Sequence, residues 1–509
     1  MVKAGRGQTT PSRPLPLVHS GYPLLIQIFL IMFFKRNRAA KLDLDRSVLN
    51  LDNPKHPDDQ ILLRDLLEHI LVLGSTGTGK TSTVGYYLAR NILSRACPQS
   101  GLKTGMIVFQ YKDDTEQWLR WAEQFGRLED VIVIGEDDSD VFNILDAYRD
   151  MDANSAVDTL MVLSKLTLNG SSSGDEKPFW QIMNRQRLHR LVLLNQLSGE
   201  SLNVLTLARI HDSAPQNEAQ LHNQEFLANS ACWQLLGQAQ DRHGSDYPPF
   251  KLCEDYFLRR MPYLAEETAS SILSMTGGIL EPFLSSPVLN RLFCGETRLS
   301  LDEMLNGKIV LLNLPIQKLE YVGRIAQMLF KHVLQKRIEA RDLQESPNPV
   351  IFHIDEFQHL ISEHDALFMS TARSSRAGCL LMTQNISGLY GHVGGAAQLA
   401  SHKVTSLLAL CNHKFFLAQN DATTNEFASK IIGKGLEHMG GASIDMEQFK
   451  GSASSSESYQ PLFMPNEFTM LSRGGAAHDH LVEAVVTATG KRFSNGRNFL
   501  LTRFKQPWA

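Results

Sequence analysis

Short runs of β-branched and apolar residues alternate along much of the chain with longer stretches of helical periodicity, the pattern of a parallel sheet flanked by helices. The predicted strands are Ile70–Leu73, Met106–Phe109, Val131–Ile134, Ile309–Leu314, Val350–Ile354, Cys379–Thr383 and Lys414–Ala418. Several lack polar alternation, as expected of central strands covered on both faces. Between Asn154 and about Pro287 the rhythm stops. Helical spacing replaces it, for example in Phe179–Leu197 and Ser201–Ile210. The spacing therefore predicts an α/β fold with an inserted all-helical domain. Further on, Gly451–Ser458 (GSASSSES) reads as a flexible loop, and Val482–Thr489 and Asn498–Phe504 flank an Asn-Gly turn as a terminal strand pair.

The expected division is 1–45 as an amino-terminal segment, 46–153 as the first part of the α/β domain, 154–290 as the all-α insertion, and 291–509 as the second part of that domain with the strand pair. In the first segment, Leu24–Phe34 (LLIQIFLIMFF) extends back to residue 15 to approach the length a bilayer requires. Pro16, His19, Gly21, Pro23 and Gln27 interrupt the stretch, so a membrane anchor at 15–34 competes with a buried helix or an unfolded start. Lys35, Arg36, Arg38 and Lys41 follow it, which for a spanning helix places the remainder on the cytoplasmic side of the inner membrane.

Composition narrows the chemistry. The chain is 43% hydrophobic and 20% charged, enough to bury sizeable cores, and its net charge of −4 leaves DNA binding to local patches. Cys97, Cys232, Cys253, Cys294, Cys379 and Cys411 show neither zinc spacing nor a secreted disulfide pattern. The G-x-S-x-G spelling at Gly170–Gly174 falls on a loop signal and not at a strand-to-helix elbow, and no H-E-x-x-H pattern occurs.

One motif carries chemistry. Gly74, Ser75, Thr76, Gly77, Thr78, Gly79, Lys80 and Thr81 satisfy G-x-x-x-x-G-K-[ST] between a strand and a helix that opens at Ser82. Glycines let backbone N–H groups wrap an anionic phosphate at the positive end of a helix dipole. Lys80 is placed to reach the β- and γ-phosphates of ATP, and the Thr81 hydroxyl to ligate Mg2+. Far downstream, VIFHID ends in Asp355 and Glu356, the first suited to the magnesium shell and the second to polarising a water. In TARSSRAGCLLMTQN, Gln384 ends a buried strand on the edge where ligands of open sheets bind. Arg373 and Arg376 precede that strand, and either is a candidate to act on a neighbouring subunit's nucleotide. Arg185, Arg187, Arg190, Arg259, Arg260, Lys331, Lys336, Arg337 and Arg341 are candidates for DNA phosphates, against the plainer reading of solvated helix faces. Trp118 and Trp121 read as core.

With these elements in order, the chain resembles the FtsK–HerA group of P-loop motor ATPases, and within it the type IV coupling proteins of conjugation and secretion systems. The likeness runs from roughly Leu71 to Phe504. It rests on GSTGTGKT, IVFQYKDDTEQWLRWAEQFGRLEDVIVI, the Phe142–Leu145 turn, FLSSPVLNRLFCGETRLSLDEMLNGKIVLLNLP, VIFHIDEF, the SSRAG…TQN segment and FFLAQNDATTNEFASKIIG. The resemblance implies a RecA-like core, a homo-hexameric ring, ATP hydrolysis with Mg2+, and sequence-independent movement of DNA through a central channel. It further implies secretion-channel or relaxosome partners and an inner-membrane anchor. Family anchors are commonly a pair of helices, whereas this chain offers one short stretch, and its arginine spacing before Gly378 differs from the commonest pattern. A soluble HerA-like DNA-processing or defence translocase and a nucleotide-switched recruitment platform are the alternatives.

Overall fold

The computed structural model of the chain describes residues 43–507 other than 52–55, 95–100, 136–139, 150, 169–177, 394–396 and 446–449. The candidate anchor at 15–34 lies outside the described residues. Among the described residues no single helix is long and apolar enough to cross a membrane.

Strands β1 (Ser47–Asn50) and β2 (Gln60–Leu62) form a small antiparallel pair ahead of the main sheet. Then follow β3 (Ile70–Leu73), β4 (Gly105–Phe109), β5 (Val131–Ile134), β6 (Ile309–Leu312), β7 (Val350–Ile354), β8 (Ala377–Thr383) and β9 (His413–Phe416). After β10 (Lys434–Asp445) and β11 (Lys450–Pro461) come β12 (Leu481–Ala488) and β13 (Phe499–Lys505). Nine of these strands make one sheet, in the order β13-β12-β9-β3-β8-β7-β4-β6-β5. From β9 to β5 every pairing is parallel, and β12 and β13 close one edge antiparallel.

Ile-Leu-Val-Leu in β3 and the whole of β8 are buried on both faces. Successive side chains feed opposite cores, because a strand alternates its Cβ atoms. Ile70, Val72, Leu380 and Met382 pack under the helix α1 (Tyr86–Leu93) and beside α2 (Thr115–Gln124), whose Trp118 and Trp121 join that core. Leu71, Leu73, Cys379 and Leu381 face the other side.

That second core continues without a break into the helices α3 (Ala153–Leu168), α4 (Pro178–Ser198), α5 (Val204–Ser213), α6 (Ala231–His243), α7 (Glu266–Ser285) and α8 (Pro287–Cys294). Local signals start several of them. Asn203 caps α5 through the Thr206 N–H, Ser230 caps α6 through Trp233, and Ser286 caps α8 through Leu289 with Pro287 in its first turn. A file of rings, Phe142 to Phe330 to Phe293 to Phe283 at 5.8, 5.2 and 6.1 Å, joins the sheet side to the helices. Phe330 belongs to α9 (Ile316–Ala340), followed by α10 (Glu363–Thr371) and α11 (Ala422–Ile432).

The segment expected to be a flexible loop, Gly451–Ser458, instead lies within β11, which pairs with β10 in a twelve-residue antiparallel ribbon, Tyr459 opposite Leu436. A two-stranded ladder is built from backbone N–H and C=O groups, so Gly/Ser-rich composition does not forbid it, although it supplies little side-chain packing.

Candidate functional site

Strand β3 delivers the chain into the glycine-rich turn at the carboxyl edge of the sheet. Gly77 and Gly79 adopt φ of +74° and +87°, which a side chain would strain. A Cβ on Gly74 would stand 2.7 Å from Thr78 Oγ1 and 2.9 Å from Leu417 Cβ, so the loop packs closely on the β9 exit. The loop is pinned at its start: Gly74 N–H donates to Thr383 O (3.4 Å) and Ser75 N–H to Ala418 O (3.0 Å). Among the described residues the N–H groups of Thr76, Gly77, Gly79 and Lys80 carry no hydrogen bond. A cluster of uncommitted donors before a helix suits an anion. The helix opens with a wide turn in which Gly85 N–H reaches Lys80 O (3.0 Å), and Ser82 Oγ accepts from Gln506 Nε2 (3.1 Å).

Lys80 is buried, its ammonium donating to Gly74 O (2.7 Å) and Ser75 O (3.4 Å). Burial pushes its pKa below the ordinary lysine value, while the carboxylates of Glu356 and Asp355 pull it back up. Those carboxylates come from the end of β7, which is not β3's neighbour. Strand β8 lies between them, so its terminal Gln384 emerges between the phosphate loop and the acidic pair.

The side chains meet. Thr81 Oγ1 donates to Asp355 Oδ2 at 2.7 Å. Thr76 Oγ1 donates to Gln384 Oε1 (3.1 Å), and Gln384 Nε2 donates to Glu356 Oε2 (3.1 Å). Glu356 sits at φ 50°, ψ 48°, a left-handed conformation uncommon for a residue with a side chain. Its backbone N–H donates to Asp355 Oδ1 (2.9 Å).

Sequence reasoning missed four participants. Gln358 donates to Glu356 Oε2 (2.5 Å) and accepts from Thr383 Oγ1 (2.7 Å), locking that carboxylate from behind. Its place two residues beyond Glu356 was the available signal. Gln419 and Asn420 accept from Ser75 Oγ at 2.8 and 2.7 Å, and Gln419 Nε2 also reaches Gln384 O (2.6 Å). Asp114, past β4, has its carboxyl pushed up, first by burial and then by the Asp355 charge.

Arg373 and Arg376 lie at the opposite, amino edge of the sheet. Arg373 pairs with Glu68 (2.7 Å) with its side chain still 67% exposed. Arg376 takes the left-handed turn into β8 and donates to Pro347 O (2.8 Å). Neither reaches its own chain's phosphate loop.

Some DNA candidates prove internal. Lys331 is fully buried, donating to both oxygens of Asp365 at 2.7 Å. Arg187 is buried against His211 Nδ1 (3.0 Å). Arg337 forms a two-pronged pair with Asp302, and Arg341 donates to Ser375 O (2.9 Å). At Lys331 and Arg187 a second layer covers the helix, which periodicity could not reveal, whereas Arg337 stays exposed. Trp118 is core, edge-on to Trp121 at 5.1 Å.

The strand order and the loop define a P-loop protein with a RecA-like fold and a mainly parallel sheet. The chain belongs to the type IV secretory system conjugative DNA transfer family, whose model matches residues 44–476. It is similar to the solved bacterial conjugative coupling protein TrwBdeltaN70 in an unbound monoclinic form, with 16% identity over 93% of this chain and 92% of that one and a TM-score of 0.58. The plasmid coupling protein TrwB in complex with ADP and Mg2+ is similar at 16% identity over 93% and 91%, TM-score 0.57. TrwB in complex with the non-hydrolysable GTP analogue GDPNP is similar at 16% identity over 93% and 94%, TM-score 0.56. At this identity the likeness is one of fold. No curated protein sequence matches the chain.

Proposed function

We propose that the chain is an ATP-hydrolysing motor of the coupling-protein kind, working as a homo-hexameric ring that moves DNA, or a DNA–protein substrate, toward a conjugation or secretion channel. The observation that carries it is the chain of contacts from Thr81 to Asp355 and from Thr76 through Gln384 to Glu356, which draws residues from remote parts of the sequence into one cleft. The TrwB complexes with ADP and Mg2+ and with a nucleotide analogue support the ligand assignment.

In this reading the free N–H groups of Thr76, Gly77, Gly79 and Lys80 hold the phosphates, and Lys80 exchanges its carbonyl partners for phosphate oxygens. The hydroxyl of Thr81 and the carboxylate of Asp355 are hard oxygen donors of the type magnesium takes, and they already meet, so they would hold it. Bound there, the ion neutralises charge on the phosphates. Glu356 spends Oε2 on the two amides, while Oε1 carries no hydrogen bond among the described residues and accepts a proton from the attacking water. Gln384 joins the phosphate loop to that base, so loading of the loop re-aims it. Phosphoryl transfer asks mainly for such positioning and charge stabilisation. The helical segment 154–290 is read as a cargo-facing domain, residues 15–34 as an inner-membrane anchor, and Arg373, more exposed than Arg376, as the group acting on the neighbouring subunit.

Glu356→Gln removes the proton acceptor and keeps the shape. It is expected to slow ATP turnover at least about a hundredfold with nucleotide affinity little changed. A Glu356→Gln protein that turns over normally sinks the assignment. Turnover that DNA does not stimulate favours the recruitment platform over the motor.

A further inference from the structure

At the amino end of β9, across the sheet from the phosphate loop, a cleft of about 430 Å3 is lined by Asn412, Lys414, Thr487, Lys491, Arg492 and Asn498 among others, with no carboxylate in its wall. Lys414 pairs with Leu71 on one side and Thr487 on the other, deep in the sheet, and is 6% exposed. Its ammonium donates to the Cys411 carbonyl, and among the described residues no carboxylate pairs with it. A buried cation without a counter-ion is costly, which is why such groups are nearly always paired. Arg492 is exposed at the rim and makes no ion pair among the described residues. Lys491 donates to Gln60 O and is partly balanced from behind by Asp65, Asp58 and Asp59.

The groups that would oppose an anion are already engaged. The last carbonyls of α11, Ile431 and Ile432, accept from Asn498 Nδ2 (3.4 and 3.1 Å). Glu68, nearest the Asn412 side, takes the Asn412 amide (3.0 Å) and Arg373. What remains of the lining is cationic and hydroxylic beside the apolar Ile431 and Ala488, in a volume that admits a nucleotide-sized group.

We infer that this cleft is a second phosphate-binding site, in which Lys414 and Arg492 hold a phosphate group borne either by the nucleic-acid backbone or by a free phosphate compound. It lies at the other end of the sheet from Lys80 and stands or falls independently of the ATPase reading.

The test uses the full chain with ADP and Mg2+ in saturating amounts. Pyrophosphate binding is followed by calorimetry, and a fluorescein-labelled single-stranded oligonucleotide by anisotropy over a range of salt. Each of Lys414→Met and Arg492→Gln is expected to weaken pyrophosphate about tenfold, the size of a lost charge-assisted contact. Should the backbone be the source, oligonucleotide affinity falls by a similar factor and its salt slope shrinks by about one per charge removed. An unchanged oligonucleotide with weakened pyrophosphate assigns the site to free phosphate compounds. Lys414→Met is expected to keep or raise the melting temperature, because it removes an uncompensated buried charge, and the exposed Arg492→Gln gives a readout that folding does not confound. Both affinities within about twofold of the parent in both variants, less than the loss of one such contact, overturn the inference.

Discussion

Arg187 and His211 form a buried contact that works in one protonation state. The guanidinium donates Nε–H to His211 Nδ1 (3.0 Å), so the imidazole must be neutral to accept. Burial, and then the Arg187 charge, push the His211 pKa down to about 3; burial pushes that of His353, edge-on to Trp118 at 5.0 Å, down to about 4. The unfolded chain takes up these protons near pH 6.5, before the folded chain does, so their contribution is complete above that value. It is lost as pH falls toward the folded values of about 3 and 4. Urea unfolding is expected to show stability declining by up to about 1.4 kcal/mol per pH unit for each histidine between about pH 6 and 4. Equal midpoints at about pH 7 and 5 would contradict buried neutral imidazoles. Arg187 and Lys331 also mark where sequence reading stopped. Helical spacing told that a charge lay on a helix, but whether a second layer covered it depended on partners, His211 and Asp365, that no local pattern announces.

Among the elements, the central strands were legible because they carry unbroken apolar runs, and the phosphate loop because its chemistry demands a fixed spacing. Their lateral order was not legible. Nothing in Cys379–Thr383 says that it separates β3 from β7, yet that placement is what brings Gln384 to Glu356. The ribbon of β10 and β11 was hidden for the opposite reason, since its ladder needs no apolar alternation. Within β8, Gly378 lies against the chain ahead of β3: a Cβ there would stand 2.0 Å from Leu66 O and 3.0 Å from Leu67 Cα. Backbone cannot yield as a flexible side chain does, so Gly378→Ala is expected to cost about 2–3 kcal/mol, read as a lowered urea midpoint. A midpoint equal to the parent's would mean that the strand has lateral freedom the packing denies.

For the whole molecule, the proposed catalytic groups sit at the carboxyl edge of the sheet and Arg373 at the amino edge, so the proposed ring would be required to complete each site. Arg373→Ala and Glu356→Gln chains, each expected to be inactive alone, should recover turnover when co-assembled, since some neighbouring pairs then combine an intact arginine with an intact base. Absence of recovery would place Arg373 outside the reaction. The seven residues of β8 have a further consequence. At about 3.3 Å per residue they form a strut roughly 20 Å long, with Arg373 and Arg376 just before one tip and Gln384 at the other. Gly378 wedged on Leu66 O denies it sideways play. Whatever tugs Gln384 when one pocket fills is therefore relayed to the arginines that, in the proposed ring, would face the adjoining protomer. Neighbouring pockets would then fill in correlated order, and Gln384→Ala should flatten a sigmoidal dependence of turnover on ATP; unchanged sigmoidicity would uncouple the two tips.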